Sequence, residues 1–169
     1  MLNERIVVLG LVVLFALPLS AGPLISMTTP LGEIVVELDA ESAPITASNF
    51  LSLLDHGMLD GSTFYRVVTA DNQPDDAVKI AVIQGGLGGD PNGPEFVGIE
   101  HETTKVTGLR HRDGTISMAR REPGTATSEF FICVGDQPEL DFDGKRNPDG
   151  QGFAAFGQMV KGMDIVKKV

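Results

Sequence analysis

Alternation with a period of two marks the first readable element. In Glu33-Ile34-Val35-Val36-Glu37-Leu38-Asp39, Ile34, Val36 and Leu38 fall on one side and three acids on the other, which predicts a strand with one wet face. The stretch Thr28-Thr29-Pro30-Leu31-Gly32 before it reads as a turn, with Ile25 to Met27 as a possible partner strand. The period then changes. Ala47, Phe50, Leu51 and Leu54 recur at helical spacing behind Pro44, which suits a first helical turn, and Gly57 is a natural stop. Strands are predicted next at Thr63 to Val68, Val78 to Gln84, Thr115 to Arg120, Ser128 to Ile132 and Phe153 to Gly157, with a short helix at Met163 to Val166. Between them, Thr69 to Asp76 is polar and turn-forming, and Asp113-Gly114 is a turn. Many short strands with two helices predict an all-β barrel or sandwich with helical plugs, and no internal repeat is present.

Three of the apolar runs are each broken by one polar side chain: Arg66 in Thr63-Phe64-Tyr65-Arg66-Val67-Val68, Gln84 in Val82-Ile83-Gln84-Gly85-Gly86, and Glu129 in Ser128-Glu129-Phe130-Phe131-Ile132. A charge inside a strand is costly unless it is paired, solvated or used. If the runs lie side by side, the three interruptions converge on one polar and aromatic groove. The plainer reading is that Arg66 ends its strand in water. The pattern leaves both open.

A length of 169 residues accommodates one domain with a full core. A net charge of −10 argues against a nucleic-acid partner, which would require a basic face. The single cysteine, Cys133, lies in an apolar run and reads as a small buried hydrophobe, with no histidine at metal-ligand spacing. His56, in the last turn of the predicted helix, reads as structural. Other local motifs fail on inspection. The glycine-rich stretch from Gly85 to Pro91 lacks the lysine and following helix of a phosphate loop. His111-Arg112-Asp113 imitates a kinase triplet without its companions, and Asp141-Phe142-Asp143-Gly144 has its glycine misplaced for a calcium loop.

The start of the chain is distinct. One basic side chain within Met1 to Arg5, an apolar run from Ile6 to Leu19, and Ser20-Ala21-Gly22 together have the form of a secretory signal peptide cleaved after Gly22. The rival is an uncleaved membrane anchor, since the uncharged run reaches Ile25. Export is the expectation, to the periplasm, with membrane contact only in transit; residues 25–169 then form the folded domain.

Taken in order, Pro44-Ile45-Thr46-Ala47-Ser48-Asn49-Phe50, Asp60-Gly61-Ser62-Thr63-Phe64-Tyr65-Arg66-Val67, Ile83-Gln84-Gly85-Gly86, Gly114-Thr115-Ile116-Ser117-Met118-Ala119, Ser128-Glu129-Phe130-Phe131-Ile132 and Phe156-Gly157-Gln158-Met159-Val160-Lys161-Gly162-Met163 resemble the cyclophilins, the cyclosporin-binding family of peptidyl-prolyl cis–trans isomerases. The leader makes the chain most similar to the exported bacterial members. The resemblance implies a closed eight-stranded antiparallel barrel with a helix at each end and a groove on its outer wall. It implies that Arg66 is the catalytic arginine and Gln84 the partner that orients it. Phe131, with Ala81, Val82, Leu140 and Phe153 around it, would line a proline pocket, while Ala119, Arg120 and Glu129 lie along the peptide backbone. The implied partners are proline-containing peptides and folding proteins, met by a monomer that uses no cofactor or metal.

Several positions depart from the familiar eukaryotic pattern. Ala81 and Val82 stand where a phenylalanine and a methionine are usual. Arg120 replaces an asparagine, Glu129 a glutamine and Phe153 a histidine. The new charges at 120 and 129 are opposite and can pair with each other, or Glu129 can instead hold Arg66. Glu139 occupies a tryptophan position important to cyclosporin, so weak cyclosporin binding is expected. The region from Thr69 to Lys79 is roughly ten residues longer than usual, which places extra loop beside the groove. The family's final barrel-closing strand is missing before Val169; the chain is either a fragment, which is the expectation, or a sheet with an open edge.

Rotation about an X–Pro bond must cross a barrier of roughly 18–20 kcal/mol because it breaks amide resonance. A fixed donor aimed at the proline nitrogen favours the twisted state over either planar one. An active isomerase serving exported proteins is therefore the leading expectation. A proline-segment chaperone or adaptor with little catalysis is the alternative, motivated by the changes at 81, 82 and 120, and a purely structural barrel is the third. Since arginine does not titrate near neutrality, the activity is expected to be nearly flat between about pH 6 and 8.

Overall fold

The computed structural model describes residues 22–88 and 96–169. The predicted leader, through residue 21, and part of the glycine-rich stretch, residues 89–95, lie outside the described residues. Seven strands are present among the described residues: β1 (Leu24–Thr29), β2 (Gly32–Leu38), β3 (Thr63–Val68), β4 (Val82–Gly86), β5 (Thr115–Met118), β6 (Phe130–Cys133) and β7 (Ala154–Lys161). Helix α1 (Pro44–Asp55) lies between β2 and β3, α2 (Thr104–Thr107) between β4 and β5, and α3 (Met163–Val166) after β7.

All strand pairings are antiparallel, in the order β1-β2-β7-β5-β6-β4-β3. The result is an all-β, curled half-barrel. The closed eight-stranded barrel expected from the sequence is not what the described residues form: β1 and β3 are the two edges and do not pair. An open cleft of about 510 Å³ separates them, bordered by residues 26–30 and 59–64.

Alternation sorts the side chains into two apolar clusters on opposite faces. Ile34, Val36, Leu38, Ile83, Ile116, Met118, Phe130, Ile132 and Phe156 point inward, where α1 covers them with Ala47 and Phe50. Phe50 makes an edge contact to Phe130 with centroids 5.3 Å apart and a tilted contact to Phe156 at 5.2 Å. On the outer face lies a smaller cluster of Val68, Val82, Phe131, Cys133 and Leu140. Each of β4 and β6 contributes to both clusters at successive residues, as a period of two requires.

Two predicted elements shift most, while the strands read at Thr115 to Arg120 and Ser128 to Ile132 change by smaller amounts at their ends. The strand read from Val78 to Gln84 begins only at Val82. Side chains take over the ladder's work before it: the Gln73 amide bonds both the N–H and the C=O of Ile80, and Gln137 Oε1 accepts from the N–H of Ala81. The strand predicted from Phe153 to Gly157 instead runs on to Lys161, pairing with β2 along that extension. Cys133 is fully buried, and that burial pushes its thiol well above the ordinary range, so it is inert as expected. His56 Nδ1 sits 2.7 Å from the Ser52 carbonyl in the last turn of α1.

Candidate functional site

The site is assembled by strand register. Arg66 lies opposite Gln84, Gln84 opposite Phe131, and Phe131 opposite Ser117, so one lateral row crosses β3, β4, β6 and β5. The row's outward orientation depends on an irregularity at its edge. Phe64 pairs with Gly85 and Arg66 with Gln84, which leaves Tyr65 supernumerary in β3. Phe64 can then point inward to Phe130, centroids 5.8 Å apart, while Tyr65 and Arg66 both project outward. That is how a charged residue sits within this apolar run: its guanidinium is on the wet outer face and is also engaged.

A directional chain of hydrogen bonds fixes Arg66. Its Nη1 donates to Gln84 Oε1 at 3.0 Å, and Gln84 Nε2 donates to the Tyr65 oxygen at 2.8 Å. The Tyr65 hydroxyl donates in turn to a Glu129 carboxylate oxygen. Glu129 also accepts from the Gly88 N–H at 3.1 Å. Burial, reinforced by the carboxylate, pushes the Tyr65 hydroxyl up to about 12, so it remains a donor across the physiological range. Gly86, at φ +134°, leaves the room: a Cβ there would lie 2.8 Å from the Glu129 carboxyl group. Glu129 thus reaches Arg66 through two intermediaries, and neither pairing weighed from the sequence forms.

Beside Arg66 lies a pocket of about 240 Å³, bounded by Ile80, Val82, Gln84, Ala119, Arg120, Phe131, Leu140, Arg146, Asn147 and Phe153. Phe131 is its floor, only 4 % exposed, with Phe153 edge-on at 5.3 Å. Arg120 closes one side. Its guanidinium lies 5.3 Å over the Phe153 ring, forks onto Asp149 at 2.8 and 3.0 Å, and donates through Nε to the Gly152 carbonyl at 2.8 Å. The Arg120 bonds, more than any other contact, hold the Asp149 carboxyl below the usual carboxylate range. Arg120 is therefore rim structure, its charge already answered.

The structure thus brings together Arg66, Gln84, Val82, Ala119, Arg120, Phe131, Leu140 and Phe153. Ala81 is not among the lining residues, a correction that alternation explains: it shares parity with the inward Ile83, whereas Ile80 shares parity with Val82 and Gln84 and takes the place given to it. Glu129 also lies outside the pocket, holding Tyr65. Period two could have identified Ile80. Nothing local announces Arg146, Asn147 or the bridging role of Tyr65, which depend on a loop path and on an extra residue in β3. Glu139 turns into its own loop, accepting from the Lys145 and Arg146 N–H groups.

Behind Phe131 is a buried arrangement that the sequence did not suggest. His111 stacks on the Phe131 ring, 5.9 Å between centroids and 19° between planes. Its Nδ1 lies 2.7 Å from Asp141 Oδ1 and its Nε2 2.9 Å from Ser117 Oγ. Since the carboxylate can only accept, Nδ1 carries the hydrogen, and in the neutral ring Nε2 accepts from the Ser117 hydroxyl. This has the connectivity of a hydrolase triad, but Ser117 is wholly buried and no substrate reaches it. The network instead fixes the ring on which the pocket floor rests. It also occupies Asp141, the acid that began the false calcium motif. Partial burial raises the Asp141 carboxyl, but hydrogen bonds from His111 and the charge of Arg110 outweigh it and hold it below the ordinary value. A depressed folded-state value contributes stability above about pH 4 that is lost as pH falls through that value. Asp141→Asn should therefore unfold about 1–2 kcal/mol more easily than wild type at pH 7, with the gap closing as the carboxyl is protonated at acid pH in denaturant titrations.

Comparison with known proteins follows the same lines. The family model described as cyclophilin type peptidyl-prolyl cis-trans isomerase matches residues 24–169. A peptidyl-prolyl cis-trans isomerase of Acinetobacter baylyi is 37 % identical over 173 residues, covering 100 % of this chain and 82 % of the relative. Peptidyl-prolyl cis-trans isomerase B of Escherichia coli is 32 % identical over 154 residues, covering 86 % and 83 %. Among solved structures, a Cryptosporidium parvum cyclophilin type isomerase crystallised in the presence of the dipeptide Ala-Pro superposes with a TM-score of 0.66 at 23 % identity, covering 86 % of this chain and 84 % of that one.

Proposed function

The chain belongs to the cyclophilin type peptidyl-prolyl cis-trans isomerase family, and from that premise we propose that catalysis takes place at Arg66, above the pocket floored by Phe131. One observation carries the reading: a guanidinium on a fixed hydrogen-bond chain stands at the mouth of a cavity of about 240 Å³ that has an apolar floor and a polar rim. A proline ring fits such a cavity in kind, since Val82, Leu140, Phe131 and Phe153 offer it carbon surface. The amide then rotates within reach of Arg66. In the planar bond the proline nitrogen shares its lone pair with the carbonyl; at the twisted geometry the pair is localised and can accept from the guanidinium. Donation is strongest there, so the transition state gains more than either ground state. The apolar floor lowers local polarity and enlarges that gain. Gln84, Tyr65 and Glu129 hold Arg66 in place before substrate arrives, so little reorganisation accompanies the reaction.

Proline-containing peptides are the proposed substrates, supported by the dipeptide used with the Cryptosporidium relative. Folding proteins outside the cytoplasm are the proposed clients of a monomeric, exported enzyme, supported by the leader-like composition of residues 1–22. An eighth strand lying in the cleft between β1 and β3 would close the sheet into the full barrel. NMR exchange spectroscopy on an Ala-Pro peptide tests the central reading: catalysis accelerates cis–trans interconversion, whereas a proline-segment adaptor shifts peaks without accelerating exchange. Tyr65→Phe and Glu129→Gln, measured in the same assay, should each slow turnover about 3-fold with KM nearly unchanged, because each loosens Arg66 without touching the pocket.

A further inference from the structure

The segment between β3 and β4 is built into the site. Gln73, buried to 5 % exposure, staples the base of this segment, its Nε2 donating to the carbonyls of Thr69 at 2.6 Å and Ile80 at 2.7 Å. Ile80 emerges from that staple into the pocket wall beside Val82. Arg146 reaches the segment from the opposite bank, the loop between Leu140 and β7. Its side chain is 13 % exposed; Nη1 donates to the Val78 carbonyl at 2.6 Å and Nη2 lies 3.2 Å from Asp76 Oδ2. Its own backbone N–H donates to the Glu139 carbonyl at 3.1 Å, so the arginine is held at its root as well as at its tip. One guanidinium thus ties together two loops that face each other across the cavity.

Resting on the location of the site proposed above, we propose that Arg146 is a specificity-determining positioning residue: it holds residues 69–80 as a wall of the proline pocket, and so sets the pocket's width and the size of residue accepted next to proline. Arg146 lines the cavity but is engaged with the loop, so its effect falls on binding and not on the rotating bond. The partner that matters most is the Val78 carbonyl, because the Asp76 carboxylate is half exposed and an exposed ion pair contributes little. Lysine can satisfy one of these contacts as a point charge but cannot fork onto both.

The test measures Kd by NMR titration and turnover by exchange, for two peptides with a small or a bulky residue after proline. Arg146→Ala should raise KM and Kd for the small peptide about 5- to 10-fold, with kcat within 2-fold and a reduced preference over the bulky one. Arg146→Lys should recover part of the affinity, and a thermal melt near that of wild type separates wall opening from unfolding. Unchanged Kd in Arg146→Ala, or a fall in kcat at constant KM, overturns the inference. If the wild type binds both peptides without accelerating exchange, the catalytic reading fails; an Arg146 effect on Kd would still support the wall.

Discussion

Replacing Arg66 by alanine should slow catalysed interconversion of an Ala-Pro bond ~10-fold or more, about 1.4 kcal/mol of transition-state stabilisation, with the fold and the peptide affinity little changed. The geometry predicts this division. Arg66 is exposed at the rim, and its side chain donates to Gln84 alone among the described side chains. Removing it opens no cavity in either apolar cluster. The ring pocket at Phe131 and Leu140 persists, so peptide still docks. Only the donor that favours the twisted amide is gone. Exchange spectroscopy gives the rate, and peak shifts on titration give the affinity. Unchanged turnover would remove Arg66 from the mechanism.

The largest loss of stability is expected far from the groove. Helix α1 begins at Pro44 behind Ala43, which has no side-chain acceptor for the first N–H groups. Glu102, 56 residues beyond Thr46, supplies one. Its carboxylate accepts from the Ile45 N–H at 3.1 Å, the Thr46 N–H at 2.7 Å and the Thr46 hydroxyl at 2.6 Å, in a setting where Thr46 is wholly buried. The charge also faces the positive end of the helix. Glu102→Ala strands three donors and should cost about 3 kcal/mol, or roughly 6–12 °C in melting temperature for a chain of this size. Glu102→Gln keeps the shape and part of the acceptance and should lose about half as much. Turnover measured well below the melting point should be near normal in both, because α1 packs on the inner face of the sheet.

For Arg66 and Gln84 the local rule of a polar interruption in an apolar run offered a groove or a solvated strand end, and the family resemblance chose the groove and placed Phe131 in it. The β2 alternation and the α1 stripe were legible from local periodicity. Period two was sufficient to exclude Ala81 from the groove and to admit Ile80; family position had placed Ala81 there against it. The partners of Glu129 and Arg120 were not legible. Opposite charges suggest a pair, but Tyr65 competes for the first, and Asp149, 29 residues away in sequence, captures the second. The His111–Asp141–Ser117 cluster likewise joins three loop and strand positions that no spacing connects. The cap from Glu102 to α1 was equally hidden, since a helix normally announces its acceptor in the residue before it.

The supernumerary Tyr65 has a consequence for how this enzyme could be lost or made. A β3 shortened by that single codon would regain strict alternation with Phe64 still inward and Arg66 still outward opposite Gln84, but with no hydroxyl to join Gln84 to Glu129. Such a deletion would therefore spare the sheet and only slacken the arginine, whereas a point change at Arg66 would leave a sound but silent barrel wall.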